Sequence, residues 1–573
     1  MTATLTALRP VICVPPQPHR DRAAADAARQ GRFSHHGRSL TLGRRPDWRC
    51  PGRIADEEWR IEWLKFYVGH DLAAAFAETG DVDYLRTWED MVESFIEQVP
   101  VGQDSSDVSA RRVQHWLYTW QGLAAAPTYR GLRDGLAERL TARIGAEGQH
   151  LAEHLTAERN HRTLELYTLL LTGLALGDTP RALAALDLLA DNAKHDIWAD
   201  GVHRECSPDY HLLVLRSLVG AIVNARAEGL PVPATLLDRV DRACDVALHL
   251  QRPDGLTSAL SDGDCVDFGE LLGFAAGALG RADLAWVASR GRTGIPPARG
   301  NVSFPVGGYH VQRTGWAAPD RFAVFDCGPL GDGGHGHYDQ LALELYAGAP
   351  FVVDPGRFTY EAGSPWRRWF KGTPAHNTVT VDGQDQTPYR PGRPKGEQSV
   401  ARLLGRWTVP GLDVIRGQVH SPAYDAVHTR TVGFVAGEFW IVHDRLRGNT
   451  PHRYAARWQL APQAQGRTTA TCDEGQAVLR SPVGSLVVPV GYGAVGVEEG
   501  WVAPSYGEKH RAPLVAVRAA GCDADLITVL FPGDVVPAVE VSTCVEGALQ
   551  LRVGGRTVRW ELPAGRLSAG SPC

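Results

Sequence analysis

Residues 333–356, GGHGHYDQLALELYAGAPFVVDPG, set two histidines one residue apart ahead of an alternating apolar run that closes on Asp-Pro-Gly. Alternation with a period of two marks a strand with one covered face. On a strand, residues i and i+2 point to the same side, so His335 and His337 are expected to converge. The next strand-like run ends at Asp354, and a hairpin brings that carboxylate back beside them. His376, in TPAHNTVTV, begins the strand after that. Two imidazoles and a carboxylate from neighbouring strands suit a divalent metal such as zinc. The competing reading makes each of them a hydrogen-bonded loop or surface residue.

Outward from this stretch the texture stays the same. RFAVFDCG (321–328), HNTVTVDGQ (376–384), EFWIVHDRL (438–446) and TVRWELPAG (557–565) are short β-branched or aromatic runs bounded by Gly, Asp and Pro. Before about residue 300 the period changes. EEWRIEWLKFYVGHDLAAAFAETG (57–80), RTLELYTLLLTGLALG (162–177) and PDYHLLVLRSLVGAIVNARAEG (208–229) space apolar residues three and four apart, as helices do. Ser207-Pro208 and Asp178-Thr179-Pro180 are helix starts, each with a capping side chain and an early proline. Helices and strands are therefore segregated along the chain, which argues against a doubly wound α/β fold. The expected organisation is multidomain α+β. An N-terminal arm, 1–45, precedes a helical domain, 46–295, and an antiparallel β domain, 296–573.

The 573 residues exceed one hydrophobic core. A composition 44% hydrophobic and 22% charged, with net charge −6, is that of a globular protein without a global pull toward nucleic acid or acidic membrane. Ten scattered cysteines form no CxxC motif and suit a reducing compartment. Arg9, Pro10, Pro15 and Pro16 interrupt any apolar leader, and no run reaches the roughly 18 residues that span a bilayer. The expectation is a cytoplasmic protein.

Two further stretches carry candidate chemistry. AERNHRTLEL places Asn160, His161 and Arg162 at the front of a helix, and HRECSPDYH places Glu205, Tyr210 and His211 at the front of another. Helix N-termini favour anions, because free N–H groups and the dipole point that way. SPWRRWFKG sets Arg367, Arg368 and Lys371 among Trp366 and Trp369. Guanidinium groups suit sulfate or carboxylate and indoles suit sugar faces, while the plainer reading is a solvated charged face.

The run from His335 through VVDPGRFTY and WRRWFKGTPAHNTVTVDGQDQ resembles the heparinase II/III-like family of polysaccharide lyases, and NHRTLELYTLLLTG and SPDYH resemble its helical catalytic stretches. The resemblance implies an (α/α) toroid, an incomplete barrel, followed by an antiparallel β-sandwich. It implies β-elimination at C4 of a uronic acid in an acidic polysaccharide or oligosaccharide, most of all a glycosaminoglycan. By resemblance Asn160 and His161 hold the uronate carboxylate, with His335 assisting or acting as base. Tyr210 matches the acid, which in some members is also the base, and Tyr360 is a candidate second tyrosine. Arg162, Glu205, His211, Trp366, Arg367 and Arg368 are expected along the substrate. His337, Asp354 and His376 are assigned to a metal, zinc in a structural role, with no organic cofactor. A homo-oligomer is compatible with all of this. SARRVQHWLYTW carries His115 where Asn is expected in similar sequences. Rival readings are an oligoalginate lyase of the same fold, a carbohydrate-binding relative without turnover, and a toroid glycoside hydrolase. The hydrolase needs two carboxylates, and Glu205, Asp209 and Asp339 form no evident pair in the sequence.

Overall fold

The computed structural model describes residues 8–14, 20–49, 56–298, 300–391, 396–473, 476–533, 536, 538–543, 548–553, 555–561 and 567–569. Cys50, Cys544, Cys573, residues 1–7 and 15–19 of the expected arm, and the end of TVRWELPAG lie outside them. By internal contacts the chain forms two units. The first is Met1–Gly201, Leu212–Cys244 and Gly269–Ala288; the second is Val202–His211, Asp245–Phe268 and Ser289–Cys573. Two short segments from the helical half thus count with the sheet-rich unit, and they carry Tyr210 and Asp262.

The first unit is the α toroid. Its front holds α1 (Arg22–Arg29), capped by Asp21, and a hairpin of β1 (Arg32–His35) and β2 (Arg38–Thr41) that turns at His36 and Gly37. The apolar spacing over 57–80 is carried by two helices, α2 (Glu57–Leu64) and α3 (Val68–Thr79). The break falls at Phe66, whose φ is 63° and whose ring is buried against Trp48 and Trp116. Burying that aromatic ring outweighs continuing the helix. The helices α4 (Val82–Gln98), α5 (Ser106–Ala124), α6 (Leu136–Glu153), α7 (Arg159–Leu176) and α8 (Thr179–Asp196) follow. Of these, α7 packs against α5, α6 and α8 and buries residues all round its circumference, as a helix with neighbours on every side must. Gly177, at φ 73°, ends α7, and the Asp178 carboxylate accepts the Arg181 N–H to start α8, so the two helices reverse within a tight turn. The remaining helices of the front half are α9 (Pro208–Ala227), α10 (Ala234–Leu250), α11 (Gly269–Leu279) and α12 (Ala282–Ala288).

The second unit is an antiparallel sandwich. Strands β3 (Val302–Phe304), β4 (Tyr309–Arg313), β5 (Arg321–Asp326), β6 (Leu343–Ala347) and β7 (Pro350–Val352) form one sheet in sequence order. A second, ten-stranded sheet is built of β8 (Val379–Val381), β9 (Val400–Val409), β10 (Leu412–His420), β11 (Val427–Val435), β12 (Phe439–Gln459), β13 (Thr469–Asp473), β14 (Gln476–Ser481), β15 (Gly484–Val488), β16 (Ala494–Ser505) and β17 (Glu508–Phe531). It is centred on β12, which pairs with β8, β11 and β17. Successive residues of β12 enter different cores. Trp440 and Val442 pack with Phe325 and Leu343 of the first sheet, while Phe439 and Ile441 pack with Val539 and Leu551 of a third, four-stranded sheet. The central sheet is therefore covered on both faces, which is why FWIV reads as an unbroken apolar run where a half-exposed strand would alternate. Among the described residues no helix is long and apolar enough to cross a membrane.

Candidate active site

The second unit gathers side chains from four separated segments around one carboxylate. Asp262 is fully buried. Arg367, on α13 (Pro365–Lys371), donates through Nη1 to Oδ1 and through Nη2 to Oδ2, the latter at 2.8 Å. His335 Nδ1 lies 3.1 Å from Oδ2, and His337 Nε2 lies 2.8 Å from Oδ1. Burial alone would raise this carboxyl's pKa, but Arg367 and the two imidazoles hold it well below the usual carboxylate range.

His335 and His337 do not sit on a strand, as the period-two pattern suggests. They occupy irregular backbone before β6, and they converge because a third segment supplies the shared partner. Glycines make that path possible. Gly334 takes φ 83°, and a Cβ on Gly336 would run into the Leu330 carbonyl. The hairpin expected to return Asp354 is present, since β6 pairs with β7 and Asp354 follows. His376 ends a single 3₁₀ turn, Thr373–Ala375, three residues before β8.

Tyr210 stands in the first turn of α9, and its ring stacks on His335 with centroids 3.7 Å apart and planes 21° from parallel. The Tyr210 and Tyr360 hydroxyls are 3.0 Å apart. Arg357 donates to the Tyr360 oxygen and is itself held by Asp264, with Nη2 at 2.6 Å. Burial pushes both phenols above their ordinary pKa, against the opposing pull of Arg357. Glu205, fully buried, places Oε2 3.3 Å from His335 Nε2. The segment is tied down locally. Ser261 Oγ donates to the Cys206 carbonyl at 3.1 Å, and Ser207 Oγ to the Asp262 carbonyl at 3.3 Å. Cys206 and Ser261 both take positive φ, 51° and 58°, a concentration of backbone strain where the clustered side chains meet.

His337, Asp354 and His376 form a possible metal site. They offer ligand atoms within 4.8 Å of one another, and all three are buried. The fit is good on the donors' own terms. His337 Nδ1 is buried without a hydrogen-bond partner. His376 Nε2 faces the Phe370 carbonyl at 2.9 Å, which leaves Nδ1 toward Asp354 Oδ2, also at 2.9 Å. Burial pushes the His337 imidazole down to about 4. At His376 burial acts the same way, but Asp354 overrides it and lifts the imidazole to about 9.

His211 is buried, its Nδ1 3.3 Å from the His203 N–H. Trp366 lies among Phe358, Trp369 and Trp501, with Lys509 Nζ 4.4 Å from its ring centroid. Arg368 is exposed near Tyr389, whereas Arg367 spends its guanidinium on Asp262. In the first unit, Asn160 is buried in the first turn of α7, His161 is exposed, and Arg162 donates to the Thr156 carbonyl at 2.9 Å. His115, also there, is buried with Nδ1 2.7 Å from His70 Nε2. Sequence reasoning missed Asp262, Asp264 and Arg357. The signal available, Asp-Gly-Asp in a loop, reads only as a turn.

A toroid followed by an antiparallel sandwich, with tyrosines and histidines clustered on the sandwich side of the chain, is the build of the toroid polysaccharide lyases. Heparinase II/III N-terminus matches residues 17–272, and Heparinase II/III-like, C-terminal matches residues 296–560. The chain belongs to the heparinase II/III-like family. A heparin-sulfate lyase of Pedobacter heparinus is 23% identical over 552 residues, 91% of this chain and 81% of that protein. A heparin-sulfate lyase of Bacteroides thetaiotaomicron is 23% identical over 450 residues, covering 70% of this chain and 61% of that one. The solved structure of Heparinase III shares the fold, with a TM-score of 0.82 at 16% identity over 98% of this chain and 94% of the other.

Proposed function

We propose that this protein is a polysaccharide lyase that cleaves the 1,4-glycosidic bond at C4 of a uronic acid by β-elimination, acting on glycosaminoglycans of the heparan sulfate class. The observation that carries the reading is the Tyr210–His335 stack with the Tyr360 hydroxyl beside it. The names of both curated relatives support the substrate class over an alginate-type oligosaccharide.

The chemistry follows from the groups present. The C5 proton of a uronate is weakly acidic because its loss places charge beside an existing carboxylate. Asn160 and His161 keep the role that the resemblance gives them, neutralising that carboxylate before charge develops. His335 takes the C5 proton through Nε2, and the carbon's electron pair forms the C4=C5 bond. Glu205, 3.3 Å from Nε2, stabilises the imidazolium that results. Tyr210, kept protonated by burial, delivers its proton to O4 as the C4–O4 bond breaks. The nearby Tyr360 hydroxyl and Arg357 then stabilise the phenolate until it is reprotonated. Arg368 and Trp366 remain candidates for sulfate and sugar-face contacts, and Arg162 and His211 for positions along the chain.

His337, Asp354 and His376 would hold zinc, whose preference for imidazole nitrogen and carboxylate oxygen matches this donor set. Bound there, the ion supplies a fixed positive charge and a structural tie between loops. Absorbance of the unsaturated uronate, followed on heparan sulfate, hyaluronan and alginate, tests the proposal. Reducing ends without the chromophore would make the protein a hydrolase, and release of neither product would make it a binder.

A further inference from the structure

Two histidines one residue apart do different work only if each presents the right nitrogen. We propose that Asp262 is a positioning residue that sets the tautomers of both, an inference that rests on reading His335 as base and His337 as metal ligand.

Arg367 donates to both oxygens of Asp262, one N–H to each. A carboxylate held this way is ionised, and an ionised carboxylate only accepts hydrogen bonds. The ring nitrogens facing it must therefore carry protons: Nδ1 of His335 at 3.1 Å and Nε2 of His337 at 2.8 Å. His335 also meets the Glu205 carboxylate, through Nε2 at 3.3 Å, but Asp262, fixed by Arg367, holds Nδ1 closer at 3.1 Å. In the neutral rings the His335 proton therefore stays on Nδ1, and the lone pairs fall on His335 Nε2 and His337 Nδ1. His337 Nδ1 is the buried atom without a hydrogen-bond partner, on the ring that joins Asp354 and His376. His335 Nε2 belongs to a side chain 21% exposed, so it can meet a substrate proton. One carboxylate thus aims two neighbouring imidazoles in opposite senses, one toward proton abstraction and one toward a cation.

The backbone enforces the same arrangement. The Asp262 N–H donates to the His335 carbonyl at 3.0 Å, so the two segments cannot slide apart without breaking main-chain and side-chain bonds together. Asp262 is fully buried, so no water competes for its oxygens. A carboxylate behind a metal-ligating histidine fixes ring orientation and basicity, and the same pairing behind a general base fixes its tautomer.

The test is direct observation of the protons. In ¹⁵N-histidine-labelled protein loaded with zinc, long-range ¹H–¹⁵N correlations report the tautomer of each ring, and His335→Gln and His337→Gln identify the two signals. The expected result is Nδ1–H at His335 and Nε2–H at His337. A wild-type His335 protonated on Nε2 alone would overturn the inference. Asp262→Asn offers one acceptor and one donor in place of two acceptors, so one ring must change tautomer and the other keeps only a neutral acceptor. That variant should lose about 10²-fold or more in kcat with KM little changed, and about 10- to 100-fold in zinc affinity by chelator competition. Asp262→Glu should recover part of both. Unchanged tautomers and zinc affinity in Asp262→Asn would also sink the idea, and if that variant does not fold the wild-type spectrum decides alone. Correct tautomers in a protein inactive on every uronate polysaccharide would refute the lyase reading and leave the proton assignment standing.

Discussion

The Tyr210 ring lies flat against the His335 imidazole, 3.7 Å between centroids, so the proposed acid and base share one packed face. Neither can swing away without exposing the other. This fixes their separation before substrate arrives, which is the preorganisation that an elimination reaction needs.

Tyr210→Phe keeps the stack and removes only the hydroxyl. Lyase turnover should fall by about 10²–10⁴-fold, the usual contribution of a positioned proton donor, while circular dichroism stays that of the parent. Full turnover in the variant would take Tyr210 out of the mechanism.

Gly336→Ala adds one methyl group at a position closed by the Leu330 carbonyl. Because the residue sits between His335 and His337, the displaced loop should lower both zinc content and turnover, at a stability cost of about 1–3 kcal/mol. A variant with both properties intact would show that the loop yields more easily than its packing implies.

His337→Ala should purify with less bound metal by elemental analysis. At free metal near 100 times Kd the ion stabilises the fold by about 2.7 kcal/mol. A chelator should therefore lower the melting temperature of the parent and leave the variant's unchanged. A parent that holds no metal and ignores the chelator would remove the metal site.

Stability should respond to acid through a buried pair in the sandwich. Arg430 of β11 and Asp444 of β12 face each other in register, with Nε 2.7 Å from Oδ1, and His428 Nε2 approaches the same oxygen at 2.7 Å. Burial would raise the Asp444 carboxyl, but Arg430 and His428 hold it well below the usual carboxylate range. A depressed carboxyl stabilises the fold above its unfolded pKa of about 3.9, and that contribution is lost as pH falls toward the folded value. Asp444→Asn should cost about 3–5 kcal/mol at neutral pH, with the difference from the parent shrinking below about pH 4. Urea titrations across that range check the trend, and a pH-independent difference would contradict it. Arg430 also donates to the Leu341 and Asn377 carbonyls, so loss of the pair should loosen the segment beside His376.

Local rules carried much of the fold. Apolar spacing of three and four, Asp178 and Gly177 at helix boundaries, and β-branched runs between turn residues depend on neighbours within a few positions, and a linear reading reports them directly. That is why the succession of a helical half and an antiparallel β half was legible, as was the nearness of Asp354 to the histidine pair, whose hairpin lies within one short stretch. The toroid, and the choice of His337 with Asp354 and His376 for the metal, came from the family resemblance. Asp262 was not legible. It meets His335 across 73 residues and Arg367 across 105, and no local period links a loop carboxylate to partners so distant. The irregular path of His335 and His337 belongs with it, because buried ion pairing and close glycine packing outweighed strand propensity there. The sequence determined which elements form and which chemical groups are available. Only the tertiary structure decided which carboxylate those groups share, since ion pairing and desolvation arise when distant segments are buried together.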